Sequence, residues 1–199
     1  MTKTVRVETK AGAYATDVNQ LIRSILTHIG EDPNREGLLE TPDRVVKSYK
    51  ELFVGYTYDD GKIQETLKVF EDGACDEMVV LRGIEFSSFC EHHMLPFIGV
   101  AHVGYVPNGF IVGISKLARL VDIYAKRLQV QERLTTQITT ALDKHLMPKG
   151  SACVIEAKHQ CMSCRGVGKQ NSVMITSSLT GVFKEEGSTR SEFLSLVRG

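Results

Sequence analysis

The chain is 199 residues long and carries 24 Lys and Arg residues against 24 Asp and Glu residues, so its formal net charge at pH 7 is zero. A balanced charge argues against nucleic acid or a membrane surface as a general partner. The chain has no tryptophan and an aromatic content of 7%, which argues against a base-stacking platform, and its 42% hydrophobic and 24% charged residues exclude a disordered chain.

The chain contains five cysteines: Cys75, Cys90, Cys153, Cys161 and Cys164. An odd number does not fit the disulfide framework of a small secreted protein. The N-terminal residues contain no apolar run long enough for a signal peptide or an anchor. We therefore expect a soluble cytoplasmic protein. In that reducing compartment, clustered cysteines indicate a metal site or a catalytic site rather than cross-links.

Two helices are predicted at the start of the chain. Thr16 is the predicted N-cap of the first, in which apolar residues recur at helical spacing until Gly30 ends it. Thr41 and Pro42 open the second, since a capping residue followed by proline is typical of a helix start, and Gly55 ends it. Nothing in these two helices indicates chemistry.

The spacing of apolar residues shifts near residue 72 from a period of about 3.6 toward a period of about 2. We predict an N-terminal helical region of residues 1–72, whose last part is a polar connection, and a second domain of residues 73–199. The predicted elements of the second domain are strands at about 78–89 and 97–106, helices beginning at Ser115 and near Leu134, strands at about 152–160 and 172–183, and a short helix capped by Ser188.

This order predicts an α+β fold in which a four-stranded antiparallel sheet carries two helices on one face. Such a sheet has two bare edges, whose unpaired backbone groups invite association. Closure into a barrel hides edges of this kind. We therefore expect the sheets of several subunits to join into an oligomeric barrel.

Two separated motifs have the spacing of metal ligands. Cys90 and His93 form a C-x-x-H pair where the first strand ends, and His159, Cys161 and Cys164 follow about seventy residues later. Side chains alternate along a strand, so we expect His159 and Cys161 to share a face. The two motifs end different strands and could line one pocket. Zinc suits this mixture of thiolates and imidazoles.

The spacing leaves two ligand sets open. With Cys90, His93 and Cys161 as ligands, zinc keeps a fourth position for water, as catalytic zinc does. His92 and His159 would then lie beside the metal as proton carriers, because neutral imidazole is available near pH 7.

The alternative adds Cys164 as a fourth ligand. A closed Cys₃His site is structural, and the protein would then be a binding module and not a metalloenzyme. This alternative leaves His92 and His159 without a role. Replacing Cys164 by serine separates the two, because only the structural site would lose zinc.

Several polar residues are candidates for contacts with an anionic purine. Lys116 and Arg119 lie at i and i+3 next to Ser115 at a predicted helix start, and Arg165 follows the second metal motif, so these groups could receive phosphate. Glu132 could accept two parallel hydrogen bonds from the edge of a guanine. Each feature taken alone is more often an ordinary surface charge.

The sequence resembles the GTP cyclohydrolase I family. The resemblance covers about Thr16 to Arg198, and several long motifs occur in the family's order. These motifs are Phe89-Cys90-Glu91-His92-His93, Gly113-Ile114-Ser115-Lys116-Leu117-Ala118-Arg119, Arg127-Leu128-Gln129-Val130-Gln131-Glu132-Arg133-Leu134, and His159-Gln160-Cys161 with Arg165-Gly166.

The resemblance implies a tunnelling fold (T-fold) and a homodecamer of two stacked pentamers with pockets at subunit boundaries. It also implies a reaction: GTP and water give 7,8-dihydroneopterin triphosphate and formate, the entry to folate and pterin synthesis and so to one-carbon metabolism. The short segment before Thr16 lacks the regulatory extension of animal relatives, so a regulatory protein partner is not expected. The resemblance does not decide whether the enzyme is cooperative. It also leaves open the alternative that the chain is a relative of this fold that acts on another pterin-like substrate.

The resemblance also implies roles for individual residues. Zn²⁺ would be bound by Cys90, His93 and Cys161. The catalytic side chains would be His92 and His159, which handle protons, and Ser115 at the ribose end. The substrate-binding side chains would be Gln131 and Glu132 at the guanine, and Lys116, Arg119 and Arg165 at the triphosphate.

Overall fold

The structure, a computed structural model, describes residues 17–71 and 75–198. It divides into two compact units, with the boundary between Glu51 and Leu52. The predicted domain boundary at residues 72 and 73 lies outside the described residues, so that division stays a prediction.

The first unit is helical. Asp17 caps the first helix, because its carboxylate accepts a hydrogen bond from the Asn19 N–H at 3.0 Å. The predicted cap, Thr16, lies outside the described residues. Asn19 Nδ2 also donates to Asp43 Oδ1 at 2.8 Å, which joins the two longer helices. The helices of this part of the chain are α1 (Val18–His28), a 3₁₀ helix (Glu36–Leu38) and α2 (Thr41–Leu52).

The residues after α2 form helices and a short strand, although a polar connection was predicted there. The chain makes a 3₁₀ helix (Val54–Thr57), α3 (Asp60–Thr66) and a short strand, β1 (Val69–Phe70). Asp59 caps α3 by accepting from the Lys62 N–H at 2.9 Å. The prediction missed this helix because seven residues give too few apolar positions to establish a period.

The rest of the chain builds the main sheet and the elements that cover it. The strands are β2 (Val79–Cys90), β3 (Pro96–Val106), β4 (Ile111–Val112), β5 (Leu128–Gln129), β6 (Gly150–His159) and β7 (Met174–Leu179). The helices are α4 (Ile114–Ala125), α5 (Gln131–Leu146), α6 (Gln160–Ser163), α7 (Val182–Glu185) and α8 (Gly187–Arg198).

The predicted α+β class is confirmed, but the main sheet has five strands where four were predicted. The main sheet has the order β5-β2-β3-β6-β7, in which the four long strands are antiparallel and β5 pairs in parallel with β2. Two residues carry no alternation, so the sequence pattern could not predict β5. β1 and β4 form a separate two-stranded sheet.

One face of the main sheet carries α4 and α5, as predicted. Their apolar side chains, such as Leu120 and Leu134, are fully buried in one core with inward-facing residues of the strands. Helix α4 begins one residue before the predicted cap Ser115, because Gly113 takes the capping position. Burial of this apolar surface is the main force that holds the helical layer to the sheet.

The C-terminal helices cover part of the opposite face. Phe183 and Phe193 meet edge to face with ring centroids 5.5 Å apart, and they pack on Ala152 and Val154 in a second, smaller core. The predicted cap Ser188 lies inside α8, which begins at Gly187. Across the described residues, the structure contains no helix long and apolar enough to cross a membrane.

The sheet brings the two metal-ligand motifs to one edge. Strand β3 lies between β2 and β6 and is antiparallel to both, so β2 and β6 run in the same direction and end at the same edge. At that edge Phe89 pairs with Pro96, and the adjacent Phe97 pairs with His159. This pairing explains why residues seventy positions apart in the chain meet in space.

A substitution at Gly99 tests the close pairing of β3 with β6. A Cβ at Gly99 would lie 1.9 Å from the carbonyl oxygen of Glu156 and 2.7 Å from Cα of Ala157, both backbone atoms of β6. We expect Gly99→Ala to lower the free energy of unfolding by about 1–3 kcal/mol, because backbone cannot yield cheaply. The matched control is Gly187→Ala, whose Cβ would meet no atom within 4 Å. Equal urea midpoints for the two variants would contradict the expectation.

Candidate metal centre and active site

The structure brings Cys90, His93 and Cys161 together. Each offers one ligand atom, and the three atoms lie within 4.8 Å of one another. Cys90 Sγ lies 3.9 Å from His93 Nδ1. Tetrahedral zinc with ordinary bond lengths needs its sulfur and nitrogen ligands about 3.6–3.8 Å apart, so small side-chain movements suffice to hold the ion. Two thiols and an imidazole are also the donors that zinc prefers.

A tight turn after β2 directs His93 toward Cys90. The Cys90 N–H donates to the Leu95 carbonyl at 2.9 Å, and the Met94 N–H donates to the Cys90 carbonyl at 2.8 Å. Met94 adopts a left-handed conformation with φ of 52°, which is unusual for a residue with a side chain. A C-x-x-H pair that ends a strand can share one ion only where the chain bends tightly, and this turn supplies the bend.

Cys161 reaches the group from a helical turn, which corrects one expectation. The predicted strand continued through residue 160 and placed His159 and Cys161 on one strand face. The strand instead ends at His159, and α6 follows, in which the Cys164 N–H donates to the Gln160 carbonyl at 3.0 Å. Cys164 is exposed and lies outside the group of three possible ligands.

The two thiols influence each other. Burial raises the pKa of the Cys161 thiol, and the neighbouring Cys90 raises it further. Two thiolates this close repel unless a cation lies between them. A metal ion reverses that balance, because a thiol that coordinates a cation is deprotonated outright. The pair is therefore suited to a metal rather than to two free thiolates.

A salt bridge that the sequence analysis missed braces the turn. The Arg133 guanidinium contacts the Glu91 carboxylate, and this contact lowers the pKa of Glu91. Arg133 Nη2 also donates to the Leu128 carbonyl at 3.1 Å, and the Glu91 N–H donates to the Gln129 carbonyl at 3.0 Å. The segment that carries His92 and His93 is thus tied to the start of α5. Both partners lie within motifs that carried the family resemblance.

His159 is held by two contacts in different directions. Its ring stacks on Phe97 with centroids 4.5 Å apart and planes 3° from parallel. Its Nε2 lies 2.8 Å from Gln131 Oε1. Burial lowers the pKa of His159, and the charge of Glu132 opposes this lowering only in part. Burial at this position therefore favours the neutral form of the imidazole.

Gln131 lies beneath His159, enclosed by protein. Gln131 is only 1% exposed. Its amide nitrogen has two hydrogens, which are shared among three acceptors: the carbonyls of Ile155 and Met174, each at 3.0 Å, and Thr176 Oγ1 at 3.1 Å. Glu132, the next residue, is exposed. Of the two residues that the resemblance assigns to the guanine, Glu132 is thus the one open to a ligand.

Of the remaining predicted residues, His92 and Arg165 lie at the metal centre. His92 is exposed, with its ring centroid 6.2 Å from that of His93. Arg165 is also exposed, and its Nη1 donates to the Cys161 carbonyl at 3.3 Å.

The other predicted phosphate-binding residues lie elsewhere in the chain. Ser115, Lys116 and Arg119 occupy the start of α4, and the latter two line an open groove that is shared with Lys62 and Lys68 of the α3 region. The lining of this groove includes none of the three possible metal ligands.

The sequence is similar to known proteins over most of its length. The sequence model of GTP cyclohydrolase I matches residues 18–198. GTP cyclohydrolase 1 of Wolinella succinogenes is 57% identical over 181 residues, which cover 91% of this chain and 96% of the relative. The corresponding protein of Leptospira biflexa is 55% identical over 181 residues, covering 91% of this chain and 98% of the relative. With matches of this extent and identity, the chain belongs to the GTP cyclohydrolase I family.

Proposed function

We propose that the chain is a zinc-dependent hydrolase that opens the imidazole ring of GTP, releasing formate and forming 7,8-dihydroneopterin triphosphate. The reaction would be the entry to folate or pterin synthesis. Membership of the family supports the activity. The observation that carries the proposal within the structure is the group of Cys90, His93 and Cys161, with His159 directly before the helix that holds the last of them.

Cys90, His93 and Cys161 are the residues that would hold zinc. Three protein ligands are the pattern of catalytic zinc, whereas structural zinc has four, and Cys164 lies outside the group. Zinc bound there would supply a Lewis acid that activates water near neutral pH. The chain's own contribution is to fix three donors, through the turn after β2 and the helical turn after β6.

His159 would carry protons to and from the purine. A neutral imidazole can accept a proton and return it, and the stack on Phe97 holds the ring in one orientation. Opening of the purine imidazole requires a proton on a ring nitrogen as the carbon–nitrogen bond breaks, and the later ribose rearrangement requires further transfers. His92, exposed beside His93, is the second carrier in the proposal.

Substrate binding would divide between the two ends of GTP. The exposed Glu132 carboxylate would accept hydrogen bonds from the N–H edge of guanine. Arg165 would meet the triphosphate at the metal centre, and Lys116 and Arg119 would supply further positive charge, with Ser115 at the ribose.

Lys116 and Arg119 line a groove without metal ligands, which supports a pocket completed between copies of the chain. We propose the homodecamer of two pentamers that the resemblance implies. The edge strand β7 supports it, because Ile175 is 63% exposed there and the outer backbone of β7 has no partner strand among the described residues.

The five cysteines are free thiols, which supports the expected reducing compartment.

The first test concerns the ligand set. We expect Cys161→Ser to lose bound zinc and GTP turnover, because a neutral hydroxyl replaces a thiolate donor. Cys164→Ser is the matched control and should keep both. Zinc per chain is measured by plasma emission spectrometry, and turnover by the fluorescence of the oxidised pterin. Loss of zinc from the Cys164→Ser variant would instead indicate a closed structural site.

The second test separates proton transfer from metal binding. We expect His159→Ala to retain zinc while kcat falls by about 100-fold or more, the ordinary contribution of a general acid or base. His28→Ala replaces an exposed histidine of α1 and should leave kcat unchanged. If His159→Ala loses its zinc, His159 belongs to the ligand set and the proposed role is wrong.

The third test concerns the triphosphate. We expect Lys116→Met and Arg119→Met each to raise KM for GTP by about tenfold or more, because each removes a charged hydrogen-bond donor. Lys184→Met removes an exposed charge on α7 and serves as the control. Steady-state kinetics at fixed ionic strength give the comparison. An unchanged KM in both variants would remove α4 from the substrate site.

A further inference from the structure

The orientation of the Gln131 amide is fixed by its partners. Two groups that contact its nitrogen are the backbone carbonyl oxygens of Ile155 and Met174, which can only accept hydrogen bonds. The atom that contacts them must therefore be the NH₂ group. The amide oxygen is then the atom that faces His159, at 2.8 Å from Nε2.

This orientation determines which nitrogen of His159 carries the proton. An amide oxygen only accepts, so Nε2 must donate and must bear the hydrogen. In the neutral ring the lone pair is then on Nδ1. Nε2 makes the hydrogen bond to Gln131. Within residues 17–71 and 75–198, Nδ1 makes no hydrogen bond. Nδ1 is the ring atom that remains for proton exchange.

The support beneath His159 is rigid because it joins three elements. Gln131 is the first residue of α5, and its amide binds the backbone of β6 and of β7. Thr176 Oγ1 accepts from the same amide and also lies 2.6 Å from Thr135 Oγ1. Turning this buried amide over would set its oxygen against the carbonyl oxygens of Ile155 and Met174, which cannot donate, and this is costly.

We propose that Gln131 is a positioning residue that holds His159 in the tautomer with hydrogen on Nε2 and so presents Nδ1 to the substrate. Gln131 acts through His159 and does not bind the guanine. This proposal rests on the proposed function, since it assigns the proton exchange of that reaction to one atom.

The first test needs no variant at Gln131. The zinc-loaded protein is labelled with ¹⁵N-histidine, and magic-angle-spinning NMR reports which ring nitrogen of each neutral histidine carries hydrogen. The His159 signals are assigned by their loss in His159→Gln. The expected result is hydrogen on Nε2. Hydrogen on Nδ1 in the wild-type protein would overturn the proposal, and this measurement stands even if substitutions at Gln131 prevent folding.

The second test uses Gln131→Met, which keeps the length of the side chain and removes the amide. We expect kcat to fall by about 10- to 100-fold, the usual effect of losing a hydrogen-bonded support of a functional histidine. KM for GTP and zinc per chain should stay within about threefold of the wild type. A raised KM with unchanged kcat would show that Gln131 binds substrate, against the proposal.

Thr176→Val is the matched control. It removes one hydrogen bond from the Gln131 amide nitrogen and leaves the bond between the amide oxygen and His159. A merely structural role for this network predicts similar losses of kcat in both variants. The proposal predicts the loss of about 10- to 100-fold in Gln131→Met and a much smaller loss in Thr176→Val, because the carbonyls of Ile155 and Met174 still fix the amide there.

A double-mutant cycle completes the test. Since Gln131 acts through His159, Gln131→Met should cause no further loss of kcat in a His159→Ala background, whereas independent roles give additive losses and would overturn the proposal. Failure of the proposed function is distinguishable, because it would appear as absence of GTP turnover in the wild-type protein. The tautomer measured by NMR would be unaffected by that outcome.

Discussion

The candidate site depends on the backbone pairing of β3 with both of its neighbours. Because β3 is antiparallel to β2 and to β6, those two strands end at one edge, where Cys90 and His159 are the last residues of their strands. Each strand then turns abruptly, one into a tight loop and the other into α6. The donors of the metal group come from these two turns, so the register of β3 decides whether they can share an ion.

Polar residues in the first turn of α5 help to orient several parts of the candidate site. The first turn of α5 carries Gln131 inward and Glu132 outward, one beneath the histidine and the other open to solvent. Arg133, one residue further, braces the loop that carries His93 through its contact with Glu91. Three consecutive residues thus reach three parts of the site, which a helix allows because its side chains point in successive directions.

The candidate site could be predicted from the sequence best where the spacing of residues along the chain indicates metal ligands. The C-x-x-H pair and the thiol at Cys161 were predicted to meet, and they do. The long strands and the helical pair followed from apolar periodicity. The pattern could not predict β5 or α3, since elements this short have no measurable period. It also could not show that Gln131 is buried, because a glutamine beside a glutamate resembles any polar helix start until the packing of β6 and β7 above it is known.

The left-handed turn at Met94 links the metal to local order. A non-glycine residue at φ of 52° is held there by its surroundings against an intrinsic cost of about 1–3 kcal/mol. An ion that bridges Cys90 and His93 favours the conformations in which this turn is closed, so occupancy and loop closure are thermodynamically coupled. In the proposed zinc-bound protein, affinity for the ion would therefore depend in part on Met94, which is not one of the three possible ligands, and the loop between β2 and β3 would contribute to retention of the metal.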